Sequence, residues 1–226
     1  MRHVVWDWNG TLLDDRHVVV AGLNTVLAEV GLPAVDLDTY QQVYTRPVQV
    51  FYERLFGRAI AEEEWPRLDE VYHDGYHDAL GEAGLAADAL EALDLVAAAG
   101  ATQSLLSMYQ HDDLLPLVER YGILRRFLLV EGLRGPGGGL KGPFLARHLE
   151  RVAAVDGHGP PGQQVVVIGD ALDDAHAAAE VGVGCVLYDG GSHPREELDA
   201  VGVPVATSLV DAVRLAALND PSEPVG

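Results

Sequence analysis

The period of the hydrophobic pattern changes along this chain, and that change restricts the folds open to it. Val4-Val5-Trp6 is a short apolar run of β-formers closing on Asp7, which reads as a buried strand. For about seventy residues after Thr11 the spacing is helical. Residues 18–30 stop at Gly31-Leu32-Pro33, residues 36–44 and 48–56 read as further helices, and 62–80 form a longer amphipathic one. No strand pattern appears between Thr11 and residue 100. After residue 88 the pattern alternates. Helices are expected at 89–99, 111–121, 144–155, 174–181 and 209–218, with strands at 102–107, 127–130, 164–168, 185–187 and 203–205. Such alternation implies βαβ units on a parallel sheet. The expected fold is α/β, a doubly wound, Rossmann-like parallel sheet with an inserted all-helical unit. The tail, 219–226, is expected to be disordered.

Composition narrows the partners. A formal charge of −20 argues against nucleic acid or an anionic membrane, and it requires any anion site to be locally positive. The apolar stretches break off well short of the roughly 20 residues that span a bilayer. One cysteine, Cys185, excludes an intrachain disulfide framework and fits a reducing compartment. No basic, then apolar, leader pattern opens the sequence, so a cytoplasmic location is expected. Fourteen arginines stand against a single lysine, Lys141, so the place that kept a lysine invites a chemical explanation.

In a parallel sheet all strands end on one edge, where open α/β folds bind ligands. Asp7 terminates the first strand, Ser107 the second, and Asp170 the strand 164–168. Lys141 lies in the glycine-rich loop after 127–130, and Asp174 falls one helical turn past Asp170. Carboxylates gathered on one rim repel one another, so a hard divalent cation such as Mg²⁺ is their natural resident. Each element also has a plainer reading. Asp170 and Asp174 would serve as helix caps, Ser107 as an ordinary strand-end serine, and Asp173 as a substitute for Asp174. Leu140-Lys141-Gly142 breaks the P-loop pattern. His73 and His77 share a helix face, but without the glutamate of a zinc motif they read as solvated.

Asp7-Trp8-Asn9-Gly10-Thr11 resembles the first motif, Asp-x-Asp-Gly-Thr, of the haloacid dehalogenase-like (HAD) superfamily. Ser107 resembles the second motif and Lys141 the third. Gly169-Asp170-Ala171-Leu172-Asp173-Asp174 resembles the fourth, Gly-Asp-x-x-x-Asp. All four occur in order. The resemblance implies a Mg²⁺-dependent phosphatase of the phosphoglycolate phosphatase-like branch, acting on a small phosphorylated metabolite. In it Asp7 is the nucleophile that forms an aspartyl-phosphate. Thr11, Ser107 and Lys141 hold phosphoryl oxygens, and Asp7, the Asn9 main-chain carbonyl, Asp170 and Asp174 bind the metal. Residues 1–14 and 89–218 correspond to the core and 15–88 to a helical C1-type cap. From that cap Arg46 would reach a substrate anion.

The chain departs from the family at Asn9, where the acid/base aspartate is expected. An amide donates and accepts hydrogen bonds but exchanges no proton at neutral pH. General acid–base catalysis contributes roughly 10²–10⁴ in rate, so alkyl phosphates should suffer more than acyl or aryl phosphates. Two further readings stay open: deamidation at Asn9-Gly10, and a protein that binds or transfers phosphoryl groups without hydrolysing them. Other HAD relatives with a different residue here perform phosphonate, dehalogenase or phosphotransfer chemistry.

Overall fold

A computed structural model describes residues 3–45, 48–135, 139–156 and 164–218. Arg46 and the tail 219–226 lie outside the described residues.

The first strand, β1 (His3–Trp6), is followed by a two-residue strand β2 (Leu13–Asp14) and the helices α1 (Arg16–Glu29), α2 (Leu37–Val43), α3 (Val48–Phe56) and α4 (Trp65–Ala79). The chain returns through β3 (Gly84–Leu85), which pairs antiparallel with β2, Leu13 opposite Leu85. Then follow α5 (Ala89–Ala98), β4 (Thr102–Gln110), α6 (His111–Arg120), β5 (Val130–Leu133), α7 (Gly142–Asp156) and β6 (Val165–Gly169). The chain closes with α8 (Leu172–Val181), β7 (Gly184–Tyr188), α9 (Arg195–Ala200), β8 (Val205–Ala206) and α10 (Leu209–Leu218).

The main sheet has six strands in the order β5-β4-β1-β6-β7-β8, and every pair is parallel. From β5 the chain crosses over β4 and β1 to enter β6, so the order reverses between β1 and β6. That switch point opens a crevice outside the ends of the two strands carrying Asp7 and Asp170. Alternate strand residues feed opposite faces. Val4, Trp6, Val166 and Ile168 pack with α5, α6 and α10, whereas Val5, Val165 and Val167 pack with α7, α8 and α9. Both faces are covered by helices, as expected for a doubly wound α/β fold. Helices α1 to α4 bury a separate cluster that includes Leu23, Val26, Phe51 and Leu68. Trp8, fully buried, belongs to the core cluster on the α5/α10 face.

Several boundaries differ from the sequence expectation. The β2/β3 ladder breaks the strand-free stretch, because two-residue strands carry no readable period. A short 3₁₀ turn at Leu124–Arg126 displaces the third strand of the core from 127–130 to Val130–Leu133. β4 runs on past Ser107 to Gln110 across a register shift. The last strand is Val205–Ala206, not 203–205, and α9 was not anticipated.

A buried polar chain crosses the sheet beneath the crevice. His148 on α7 bonds Glu131 through Nδ1 and Ser104 through Nε2, each at 2.7 Å. Ser104 Oγ also meets His3 Nε2 at 2.8 Å, and His3 Nδ1 meets Thr102 Oγ1 at 2.7 Å. The acceptor-only Glu131 carboxylate requires the His148 Nδ1–H tautomer. Ser104 therefore donates to His148 Nε2 and accepts from His3 Nε2–H. Ser104 and His148 are both fully enclosed, so this relay pins α7 to the sheet and meets no substrate.

Candidate active site

The nucleophile candidate is fixed by main chain. Asp7 N donates to Ile168 O at 2.9 Å, carrying the β1 ladder one residue beyond the strand. The next residues turn sharply: Thr11 N and Leu13 N both donate to Trp8 O, at 3.2 and 2.9 Å. The turn needs a glycine. Gly10 has φ +73°, and a Cβ there would lie 2.5 Å from Asp170 Oδ2.

Asp170 leaves the end of β6, where Thr11 Oγ1 donates to its Oδ1 at 3.0 Å and Ser192 N to its Oδ2 at 3.2 Å. Asp174 sits in the first turn of α8, its Oδ2 accepting from Ala171 N at 3.0 Å, where the helix dipole favours negative charge. Lys141 immediately precedes α7, and its Nζ lies 2.5 Å from both Asp7 Oδ1 and Asp174 Oδ1. Carboxylate oxygens of Asp7, Asp170 and Asp174 all lie within 4.8 Å of one another.

Burial dominates the electrostatics. It raises the Asp7 carboxyl to about 7, with Lys141 opposing the rise and the Asp174 charge adding to it. Burial, then the charges of Asp7 and Asp174, push Asp170 well above the ordinary range. Burial would lower Lys141, but Asp174 and Asp7 outweigh it and hold the ammonium firmly protonated. With one ammonium among them, the three acids cannot all ionise without a second source of positive charge. Their oxygen-only donor set suits a hard divalent cation.

Asn9 and Ser107 occupy the neighbouring side. Asn9 Nδ2 donates to Asp15 Oδ2 at 2.7 Å and to Tyr76 Oη at 2.9 Å, while Tyr76 Oη donates to Asp15 Oδ2 at 2.7 Å. Gly10 N donates to the other oxygen, Asp15 Oδ1, at 2.9 Å. Asn9 Oδ1 faces Ser107, whose Oγ donates to it at a long 3.5 Å and accepts from Tyr109 N at 3.0 Å. Burial raises the Asp15 carboxyl, against the bonds from Asn9, Tyr76 and Gly10. Three donors aimed at two oxygens match the ionised form.

Asp7, Asn9, Thr11, Ser107, Lys141, Asp170 and Asp174 are thus gathered at one sheet edge. Asp173, the alternative to Asp174, is only half-buried and lies outside the acidic cluster. Arg46 lies outside the described residues. His73 and His77 on α4 are exposed; they contact Asp69 and Tyr109 and belong to no metal-ligand cluster among the described residues.

Sequence reasoning missed Asp15, Tyr76 and the loop after β7. Asp15 precedes α1 where an N-cap belongs, yet its side chain makes no cap and turns back to Gly10 and Asn9. The loop that supplies Ser192 N also receives Gln41 Nε2 on Gly191 O at 3.2 Å, and His193 packs edge-on against Tyr44 at 5.0 Å. The helical insert therefore touches the core beside Asp170.

A family model described as haloacid dehalogenase-like hydrolase matches residues 1–182. The chain belongs to the haloacid dehalogenase-like hydrolases. As a HAD-like hydrolase it is an enzyme, and its parallel sheet is the fold of its solved relatives. It is 27% identical over 185 residues to a phosphoglycolate phosphatase of Agrobacterium fabrum, covering 79% of this chain and 76% of that one. It is also 27% identical over 232 residues to a phosphoglycolate phosphatase of Mesorhizobium japonicum, covering 92% and 96%. A HAD-like family protein of Streptococcus pneumoniae superposes with a TM-score of 0.77 at 16% identity, covering 95% of this chain and 97% of that one.

Proposed function

We propose that this HAD-like hydrolase is a Mg²⁺-dependent phosphatase of a small phosphorylated metabolite, working through an aspartyl-phosphate on Asp7. The observation that carries the reading is Lys141 Nζ, 2.5 Å from Asp7 Oδ1 and Asp174 Oδ1, beside a third carboxylate. One ammonium spanning the nucleophile and a second acid opposes the protonation that burial favours at Asp7 and offers positive charge to an incoming phosphoryl group.

Asp7 attacks phosphorus in line. Its oxygen–phosphorus bond forms as the ester bond breaks, and the leaving oxygen takes a proton from solvent. Water then attacks phosphorus, the Asp7 carboxylate departs and inorganic phosphate is released. Lys141, Thr11, Ser107 and main-chain N–H groups bind the phosphoryl oxygens. Asp7, Asp170, Asp174 and the Asn9 main-chain carbonyl are suited to hold Mg²⁺, which when bound supplies further neutralisation of phosphoryl charge. The helical insert, residues 15–88, serves as a cap that excludes water and selects the substrate, with Arg46 as its candidate anion contact. The curated relatives make phosphoglycolate the first substrate to test. A reducing, cytoplasmic setting accords with a lone, buried cysteine.

The deciding experiment is phosphate release from a panel of esters with Mg²⁺ or with chelator, using Asp7→Asn as the blank. Release that needs both Asp7 and Mg²⁺ supports the reading. Asn9 favours a second one, a phospho-ligand binder. Silence across the panel, with Mg²⁺-dependent thermal stabilisation by one metabolite, would establish it. Within the phosphatase reading, Asn9 is expected to slow alkyl phosphates by a larger factor, relative to Asn9→Asp, than acyl or aryl phosphates of matched size.

A further inference from the structure

We infer that Asp15 and Tyr76 are positioning residues that lock the Asn9 side chain with its carbonyl oxygen toward the reaction centre, making position 9 a hydrogen-bond acceptor for the attacking water. The inference rests on the phosphatase reading above. Its physical basis is the polarity of three neighbours. Gly10 N–H fixes Asp15 Oδ1 at 2.9 Å, so Asp15 Oδ2 is the oxygen turned toward Asn9 and Tyr76. A carboxylate oxygen only accepts, so the Asn9 atom 2.7 Å from it must be the NH₂ group. The second amide proton is taken by Tyr76 Oη, whose own proton goes to Asp15. Both donors of Asn9 are spent, and what remains on the Ser107 side is Oδ1, which takes one long bond from Ser107 Oγ and, with two lone pairs, can accept a second.

The consequence falls unequally on the two chemical steps. Departure of the leaving group needs a donor, which Asn9 withholds. Hydrolysis needs the water held with its lone pair toward phosphorus, which an acceptor behind one O–H achieves. In that step the water oxygen bonds to phosphorus while the Asp7 oxygen–phosphorus bond breaks, its electron pair returning to the Asp7 carboxylate. The products are dihydrogen phosphate, or hydrogen phosphate with a proton released to solvent. Asn9 orients the water without taking its proton. Tyr76 lies on α4 and Asp15 at the start of α1, so the lock forms only while the helical insert sits against the core.

Asp15→Asn provides a sharp test. Gly10 N–H would still hold the oxygen of the substituted side chain, leaving the new NH₂ group opposite Asn9; two donors cannot face each other, so the Asn9 amide turns over and presents NH₂ to the site. With para-nitrophenyl phosphate and Mg²⁺, kcat is expected to fall about 5–30-fold, the cost of one misdirected hydrogen bond. The ratio kcat/KM, which reports transfer to Asp7, should stay within about twofold, so KM falls with kcat and phosphorylated Asp7 accumulates in mass spectra. Tyr76→Phe should give a smaller fall in kcat. The exchange variant Asn9→Asp/Asp15→Asn restores one donor and one acceptor across the gap, and kcat should return to the wild-type value or above.

A readout independent of turnover is the Asn9 side-chain amide in a ¹⁵N-asparagine-labelled wild-type sample. Its two protons should exchange slowly, and the protection should be lost in Asp15→Asn and Tyr76→Phe. Rapid exchange in the wild type overturns the inference. So does a folded Asp15→Asn protein with unchanged kcat and KM, or one whose kcat/KM drops in step with kcat and is not rescued by the exchange. Protected amide protons with no turnover of any ester would uphold the orientation and overturn the phosphatase reading instead.

Discussion

Lys141 Nζ lies 2.5 Å from Asp174 Oδ1 and equally close to Asp7 Oδ1, with all three side chains largely shut away from solvent. The chain's single lysine is therefore shared between two acids contributed by distant segments.

Lys141→Met should strand those acids. Breaking a buried pair by removing one partner costs about 3–5 kcal/mol, because the remaining charge keeps its desolvation penalty. The variant is expected to melt well below the wild type in chelator and to regain more stability than the wild type when Mg²⁺ is added. Paired thermal melts with and without Mg²⁺ measure both, and phosphate release should fall to the Asp7→Asn blank. Equal Mg²⁺ stabilisation of the two proteins would contradict the shared charge balance.

Asn9→Asp, which restores the family's expected residue, is not expected to act as a simple repair. It sets a carboxylate 2.7 Å from Asp15, and two acids at that distance hold one proton between them. The shared proton gives the folded pair a raised apparent pKa. The folded state then binds more protons than the unfolded one, and stability falls as pH rises above the ordinary carboxylate range. Denaturant melts from about pH 5 to pH 8 should show the variant losing ground to the wild type, and Asp15→Asn added in the same chain should remove that loss.

Gly10→Ala tests the turn that seats Asp170. The Cβ would lie 2.5 Å from Asp170 Oδ2 at a left-handed φ of +73°, so either the turn or the carboxylate must move. Displacing a metal-binding carboxylate from its hydrogen-bonded seat typically weakens metal affinity about 10–100-fold. Calorimetric titration of Mg²⁺ into the folded variant reads this directly. An unchanged affinity would separate Asp170 from the metal.

His148 gives the fold an acid-side weakness. Burial lowers its pKa, with the Glu131 bond opposing and the Arg151 and Lys141 charges adding to the fall; Ser104 faces its other nitrogen. The unfolded chain thus takes up a proton near pH 6.5 that the folded one refuses, and stability drops as pH falls from there toward the lower folded value. Glu131 acts the same way at lower pH. Burial would raise it, but His148 and Arg151 hold it below the usual range, so its contribution fades as pH falls through that depressed value. Stability should climb with pH across this window, with His148 adding at most about 1.4 kcal/mol per pH unit. His148→Gln should flatten the upper part of that slope in urea melts, and an unchanged slope would place the titrating group elsewhere.

The sheet and most of the candidate site's rim were legible because parallel topology sends every strand end to one edge. Asp7, Ser107 and Asp170 each close an apolar run, and Lys141 and Asp174 follow within the next loop or turn. Asp15 and Tyr76 were not legible. Their placement depends on a side chain abandoning a helix-cap position and on α4 crossing the turn after Asp7, and neither leaves a periodic trace. The two-residue strands β2 and β3 escaped for the same reason, and six-residue α9 is too short to show an amphipathic repeat.

The antiparallel ladder of Leu13–Asp14 with Gly84–Leu85 brings the outgoing and returning chain side by side. Paired residues in such a ladder stand only about 5 Å apart, a gap that a two-residue hairpin turn can bridge. The intervening helices thus leave and rejoin the core at one narrow neck. In the phosphatase reading, exchanging them for those of another hydrolase would leave Asp7, Lys141 and Asp170 on their own strands and loops but take Asp15 and Tyr76 away from Asn9, so a transplanted insert is expected to change selectivity and the setting of Asn9 together.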